Sequence, residues 1–216
     1  MPDTTTMAII LSICVAAYLL GSVNFAIIIS GIVSKGDDIR RYGSGNAGMT
    51  NMLRTYGKWP AIVTAAGDFG KAVLAVVLAR ILGNIVELNF DAGYIAGVFV
   101  TLGHMFPLYF KFRGGKGVMS GLGVIFSVNW VIFIMVVISA VPIVFITRII
   151  SIASISGALT NAVITAAWAF TLSDNHPWFY VITAMVIGAM IWIGHRENIM
   201  RLYKGTENRL GKKTAT

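Results

Sequence analysis

Apolar runs fill most of this chain, and short polar, basic or glycine-rich connections break them up. A helix that crosses a bilayer needs about 20 mostly apolar residues. Seven runs qualify as candidates: 7–33, 59–83, 92–110, 117–129, 131–147, 150–172 and 178–194. The fourth, at about 13 residues, is short for a lipid-facing span and could equally be a half-helix buried among its neighbours. Pro107 and Pro142 fall in or near spans, where proline kinks a helix. No internal repeat, low-complexity tract or linker interrupts the pattern. The expectation is an all-α polytopic membrane protein of about seven helices, one of them short, forming a single domain over 1–216.

Composition supports a lipid exterior. The chain is 56% hydrophobic and 12% charged, whereas soluble chains run at about 25% charged. Its net charge of +8 would suit nucleic acid, but apolar runs separate the bases and no continuous basic surface forms. The positive-inside bias explains them better. All Lys and Arg residues except Lys71 and Arg80 fall in the 34–58 connection, the 111–116 connection, at Arg148, or in the tail from His195, provided the short fourth segment crosses. The alternate connections carry Glu87, Asp91 and Asp174 and no base. These loops and the C-terminus are therefore expected in the cytosol, with the N-terminus outside. Met1 to Thr6 carry no Lys or Arg, so a cleaved signal is not expected and the first run should remain as a span. Cys14, the only cysteine, cannot form an intrachain disulfide and reads as a packing residue.

Two connections carry chemistry. The first runs Gly43-Ser44-Gly45-Asn46-Ala47-Gly48-Met49-Thr50-Asn51 and leads to Arg54. Its glycines match G-x-G-x-x-G, but the charged stretch before it and Asp68 inside an apolar span rule out the dinucleotide fold. What remains is local physics. Closely spaced glycines allow backbone N–H groups to face one anion; Ser44, Asn46, Thr50 and Asn51 add donors, and Arg54 can grip phosphate in a bidentate way. A flexible turn leading into a helix is the plainer reading. The second is His104 to Gly117, ending Lys111-Phe112-Arg113-Gly114-Gly115-Lys116-Gly117. It is not a Walker A loop, since Gly117 stands where Ser or Thr belongs. Lys116 has no neighbouring side chains to shield it, whereas Lys111 and Arg113 read as interface anchors. His104 is either a satisfied polar residue or a functional one.

Asp68 and Lys71 share one helix face within an apolar run, either as a structural ion pair or with Lys71 bordering a polar cavity. In the tail, a helix would bring His195, Asn198, Arg201 and Leu202 to one face. A basic surface anchor is the alternative, though it would not need a histidine and an asparagine. No H-E-x-x-H, carboxylate cluster or G-x-S-x-G occurs. No histidine has aspartate five residues on, as the common glycerolipid acyltransferases do: Tyr109, Val181 and Met200 stand there.

Together the segments GSGNAGMTNMLR (43–54), DFGK (68–71), HMFPLYFKFRGGKG (104–117) and HRENIMRLYKGTE (195–207) resemble the bacterial acyl-phosphate:glycerol-3-phosphate acyltransferases, the PlsY family. With the spans, the resemblance covers nearly the whole chain. Departures are Val118-Met119-Ser120 after GGKG, Ala72 after DFGK, and Arg209 where lysine is common. The resemblance implies an inner-membrane enzyme that moves a fatty acyl group from acyl phosphate to the 1-hydroxyl of sn-glycerol 3-phosphate. The products would be lysophosphatidate and phosphate, and no metal or other cofactor, nucleic acid or obligate protein partner is implied. By resemblance, the catalytic set is His195, Asn198, Ser44, Arg54 and Lys116. The phosphate- and substrate-binding set is Gly43, Gly45, Asn46, Asn51, Lys71, His104, Gly114, Gly115, Gly117, Ser154 and Arg201. The proton acceptor is either His195 or the donor's own phosphate. An anion or phosphate transporter is the rival reading; it would show related halves and a midplane site, and neither is visible.

Overall fold

The computed structural model describes residues 4–172 and 176–211, which are helical and without strands. Asp174, the Met1–Asp3 end, Lys212 and Lys213 lie outside the described residues. Among the described residues ten α-helices run in order: α1 (Thr4–Ser22), α2 (Phe25–Val33), α3 (Met49–Tyr56), α4 (Lys58–Ile85), α5 (Ala92–Met105), α6 (Val118–Val128), α7 (Trp130–Thr147), α8 (Ile150–Leu172), α9 (Pro177–Gly194) and α10 (Arg196–Tyr203). Six candidate spans are long and apolar enough to cross a bilayer, and α6 is a shorter apolar helix. The chain clusters into two compact units, Met1–Val128 and Asn129–Thr216.

In the first unit, α1 packs on α5, and α4 packs on both α5 and α6. Glycine makes two of these contacts possible. A side chain at Gly103 would strike the Tyr18 carbonyl of α1, and one at Gly123 would strike the Phe69 carbonyl of α4. Without a hydrophobic drive between helices in lipid, such close backbone approach supplies the packing energy. The first run is not one continuous helix. It breaks at Val23, and Asn24, fully buried, caps α2 by accepting the Ile27 N–H at 3.1 Å. Asn competes well for backbone groups and so favours caps over helix interiors. A reading from hydropathy alone misses this, because one buried asparagine barely lowers the average.

Helix α6 lies alongside α5 from end to end. At its start, Gly114 and Gly115 donate to the Met105 and His104 carbonyls at 3.0 and 3.1 Å. At its finish, Arg80 donates to the Ser127 and Val128 carbonyls while pairing with Asp91, the N-cap of α5. Pro107 ends α5 rather than kinking it, because the residue before proline avoids the α region and Phe106 closes the helix.

In the second unit, α7, α8 and α9 pack in sequence and α10 follows α9 with only His195 between them. Asn129 caps α7, which continues through Pro142. Much of α7 is exposed, with Phe145 and Ile146 at 79% and 82%, as a lipid-facing helix requires.

Candidate active site

In the first unit, the glycine-rich loop is organised by Asn51 on α3. Its amide donates to the carbonyls of Tyr42 (2.9 Å), Asn46 (3.1 Å) and Ile39 (3.3 Å), and its oxygen accepts the Ser44 N–H at 3.0 Å. Asn51 is buried and spends all its polar capacity inside the loop. The sequence reading offered it as a phosphate donor; the geometry makes it the residue that shapes the loop. Gly43, at φ +58°, has no room for a side chain beside the Asn51 oxygen.

Four of the glycines already donate within the fold. The amides of Ser44, Gly45, Gly48, Gly114 and Gly115 bond to acceptors within the fold. Gly114 and Gly115 are taken by the orphan carbonyls at the end of α5, which need partners. Among the described residues, the amides of Asn46, Ala47, Met49 and Thr50 make no intramolecular hydrogen bond. They surround the start of α3, where the helix dipole favours an anion. Ser44 is half-buried beside them, and Arg54 is exposed one α3 turn after Asn51.

The two glycine-rich loops meet. A side chain at Gly115 would collide with the His104 imidazole and the Ala47 carbonyl, so Gly115 sits wedged between them. Arg40 ties the loops a second time: its Nη1 donates to the Phe110 and Arg113 carbonyls, both at 2.8 Å, while Asp38 holds the rest of the guanidinium. Lys116 is half-buried and Lys111 exposed; Gly117, at φ +83°, turns the chain into α6.

Lys71 and His104 do not border an open cavity. Lys71 Nζ lies 2.8 Å from Asp68 Oδ1, 2.6 Å from the Val23 carbonyl and 3.1 Å from His104 Nδ1. Lys71 and Asp68 side chains are 2% and 1% exposed. Ser120 of α6 donates to the Asp68 carbonyl at 3.3 Å.

In the second unit, His195 caps the junction of α9 and α10 and is buried. Its Nδ1 is 2.8 Å from the Ile191 carbonyl. A carbonyl only accepts, so Nδ1 carries a proton and Nε2 is the basic nitrogen of the neutral ring. Glu207 gathers the rest. Its Oε1 accepts from Asn198 Nδ2 (2.7 Å) and Ser151 Oγ (3.0 Å), and its Oε2 from Arg201 Nε (2.8 Å). Ser154, named from sequence, bonds instead to the Ile150 carbonyl one turn back. Sequence reasoning missed Glu207 because Gly205, at φ +68°, turns the chain back after α10, so helical phase says nothing about it. Arg40 and Asn24 went unseen too: a basic loop residue and an apolar-run asparagine carry no distinguishing pattern.

The comparisons with known proteins agree with this architecture. A family model described as glycerol-3-phosphate acyltransferase matches residues 11–205. A glycerol-3-phosphate acyltransferase of Dinoroseobacter shibae is 39% identical over 214 residues, covering 99% of each chain. The chain belongs to the glycerol-3-phosphate acyltransferase family. The relative of the same name from Coxiella burnetii (Dugway) is 42% identical, covering 94% of this chain and 99% of its own. The crystal structure of PlsY, an integral membrane glycerol 3-phosphate acyltransferase, matches in its glycerol 3-phosphate form with a TM-score of 0.81 at 35% identity, covering 94% of this chain and 96% of that one. Its lysophosphatidic acid form matches with a TM-score of 0.78. This acyltransferase is thus an all-α, multi-pass integral membrane enzyme.

Proposed function

We propose that this acyltransferase moves a fatty acyl group from acyl phosphate to the 1-hydroxyl of sn-glycerol 3-phosphate, the first acylation of phospholipid synthesis. The hydroxyl oxygen bonds to the acyl carbon, the carbon–oxygen bond to phosphate breaks, and the hydroxyl proton leaves with the phosphate. Lysophosphatidate and inorganic phosphate result. The matching PlsY crystal structures are of its glycerol 3-phosphate and lysophosphatidic acid forms, and these molecules are the acceptor and product of this reaction. Within this chain, one observation carries the reading: amides at the start of α3 with no internal acceptor, between Ser44 and Arg54.

Ser44, Arg54, Lys116 and the amides of Asn46 to Thr50 bind phosphate and stabilise the charge that builds on it as it departs. His195 Nε2 and Asn198 orient glycerol 3-phosphate, and Arg201 is held by Glu207, the acid that also holds Asn198. An acyl phosphate is already activated, so the departing phosphate can take the proton itself and no covalent enzyme intermediate is needed. The chain is read as a single acyltransferase domain of the bacterial cytoplasmic membrane. The basic connections face the cytosol and the N-terminus faces out, which the charge partition supports.

Purified protein in detergent, given acyl phosphate and glycerol 3-phosphate, should release phosphate and lysophosphatidate in equal amounts, and acyl-CoA should not replace the donor. Turnover with acyl-CoA but not with acyl phosphate would overturn the donor assignment. Reporters in the 34–48 connection and at the C-terminus should both read as cytosolic; opposite readings would overturn the topology.

A further inference from the structure

The reaction as proposed makes no use of a buried charged cluster inside the first unit. Asp68 and Lys71 of α4 and His104 of α5 are at most 4% exposed. Ionisable groups at such depth are costly and are kept for a purpose. With the imidazole proton on Nε2, every Lys71 N–H has an acceptor: Val23 carbonyl, Asp68 Oδ1 and His104 Nδ1. A saturated, enclosed ammonium has nothing left for a phosphate.

Each partner leads to a glycine-rich loop. Val23 is the break in the first run; the next residue, Asn24, donates from Nδ2 to the Ala47 carbonyl at 3.4 Å. His104 accepts the Gly115 N–H through its own carbonyl, and its ring crowds the same side-chain position of Gly115 that the Ala47 carbonyl does. Asp68 is the countercharge, and its carbonyl accepts from Ser120 just after Lys116. The geometry points to Asp68, Lys71 and His104 as a positioning cluster that sets the separation of the two glycine-rich loops without touching substrate. This rests on reading the loops as phosphate holders.

Two consequences separate this from direct ligation by Lys71. First, removing one ion leaves the other buried and uncompensated, while removing both does not. Lys71→Met and Asp68→Asn should each lower kcat/KM about tenfold to hundredfold, the range that small misplacement causes, chiefly through KM for both substrates. The double variant should recover most of the loss. Second, only Nδ1 of His104 meets the ions. Asparagine can present a polar atom at the Nδ1 position and glutamine at the Nε2 position, so His104→Asn should retain activity within about threefold and His104→Gln should not.

Because a single ion variant can fail to fold, the experiment includes the histidine pair and a binding readout without turnover. Thermal stabilisation by inorganic phosphate is measured on the full-length protein in detergent, together with KM and kcat. The expected result is weaker phosphate stabilisation in His104→Gln, wild-type stabilisation in His104→Asn, and recovery in the Lys71→Met/Asp68→Asn double variant. A double variant no better than Lys71→Met, with His104→Gln indistinguishable from His104→Asn, would overturn the cluster. If wild-type protein bound phosphate but gave no turnover with acyl phosphate, the function reading would fail while the cluster test stood. Loss of phosphate stabilisation in every variant including His104→Asn would overturn the positioning role.

Discussion

Substituting Gly115 by alanine tests the meeting of the loops directly. The new methyl group would lie between the His104 ring and the Ala47 carbonyl, closer to both than atoms pack. Neither can yield easily. The carbonyl is backbone and accepts from Asn24, and the imidazole is buried with its Nδ1 accepting from Lys71. Gly115 does not have positive φ, so the penalty is steric and not conformational. Overpacking of this kind costs about 1–3 kcal/mol. If the loops part to relieve it, kcat/KM should fall about 5- to 150-fold, at 1.36 kcal/mol per decade. Gly70→Ala on α4 is the control. Nothing lies within 4 Å of a side chain there, and a helix-interior glycine replaced by alanine gains about 0.5–1 kcal/mol. Steady-state kinetics and thermal unfolding in one detergent should show the first variant impaired and the second unharmed. Indistinguishable variants would mean that Gly115 is not wedged, and the convergence of the loops would be refuted.

Four further outcomes are expected. Lys116→Ala should lose a charge-assisted hydrogen bond of about 1.5–3 kcal/mol, roughly 10- to 150-fold in kcat/KM, while exposed Lys111→Ala should change it little; equal losses would remove Lys116 from the site. His195→Gln should keep turnover, raise KM for glycerol 3-phosphate and lose no limb of the pH–rate profile near pH 6–7; a kcat collapse beyond about 10³ at constant KM would make His195 the base. Glu207→Gln turns an NH₂ toward Arg201 or toward Ser151 and Asn198, costing about 1.5–3 kcal/mol, so its melting temperature should drop; no change would show that Glu207 does not hold the tail. Burial pushes the Asp38 carboxyl up, but the hydrogen bonds and charge of Arg40, helped by Arg41, hold it below the usual carboxylate value. Its stabilisation is therefore complete above the unfolded pKa of about 3.9 and lost as pH falls through the lower folded value. Hydrogen-exchange protection at 108–113, taken relative to the intrinsic rate at each pH, should fall at pH 3 but hold between pH 5 and 8, and Asp38→Asn should lower it at pH 7.

Hydropathy was enough to locate the spans because lipid demands long, self-satisfied apolar helices, and the ends of 59–83 and 131–147 fall within two residues of α4 and α7. The break at Val23 was not legible, since its cause is one side chain with partners in two other segments. Motif chemistry singled out two loops that the fold brings together, but not the internal bonds that several of their residues make. Gly114 and Gly115 looked like amide donors because glycine exposes its backbone; in the fold their amides serve α5 and their missing side chains serve packing. Asn51 and Lys71 have ligand-like chemistry too, yet both are consumed by internal partners at distances no sequence spacing encodes. His195, Asn198 and Arg201 were legible as one helical face, while the acid that joins the last two was not.

The uneven ends of the helices set a depth. Exposed Lys58 and Trp59 begin α4, and such residues mark the membrane surface. Ten residues later comes Asp68, which places the cluster under Gly115 about 15 Å further along the axis. Helix α2 climbs back from the break at Val23 for nine residues, about 13 Å. The floor of the loops is thus recessed along the α4 axis, with α2 packed on α4 beside it. For the chemistry proposed, a membrane-borne acyl phosphate need not be lifted fully into water to reach such a recess. Glycerol 3-phosphate is the reagent that descends, drawn by the basic rim. The products then separate by solubility, with phosphate returning to water and the new lysolipid leaving sideways into the leaflet, so neither departure blocks the other.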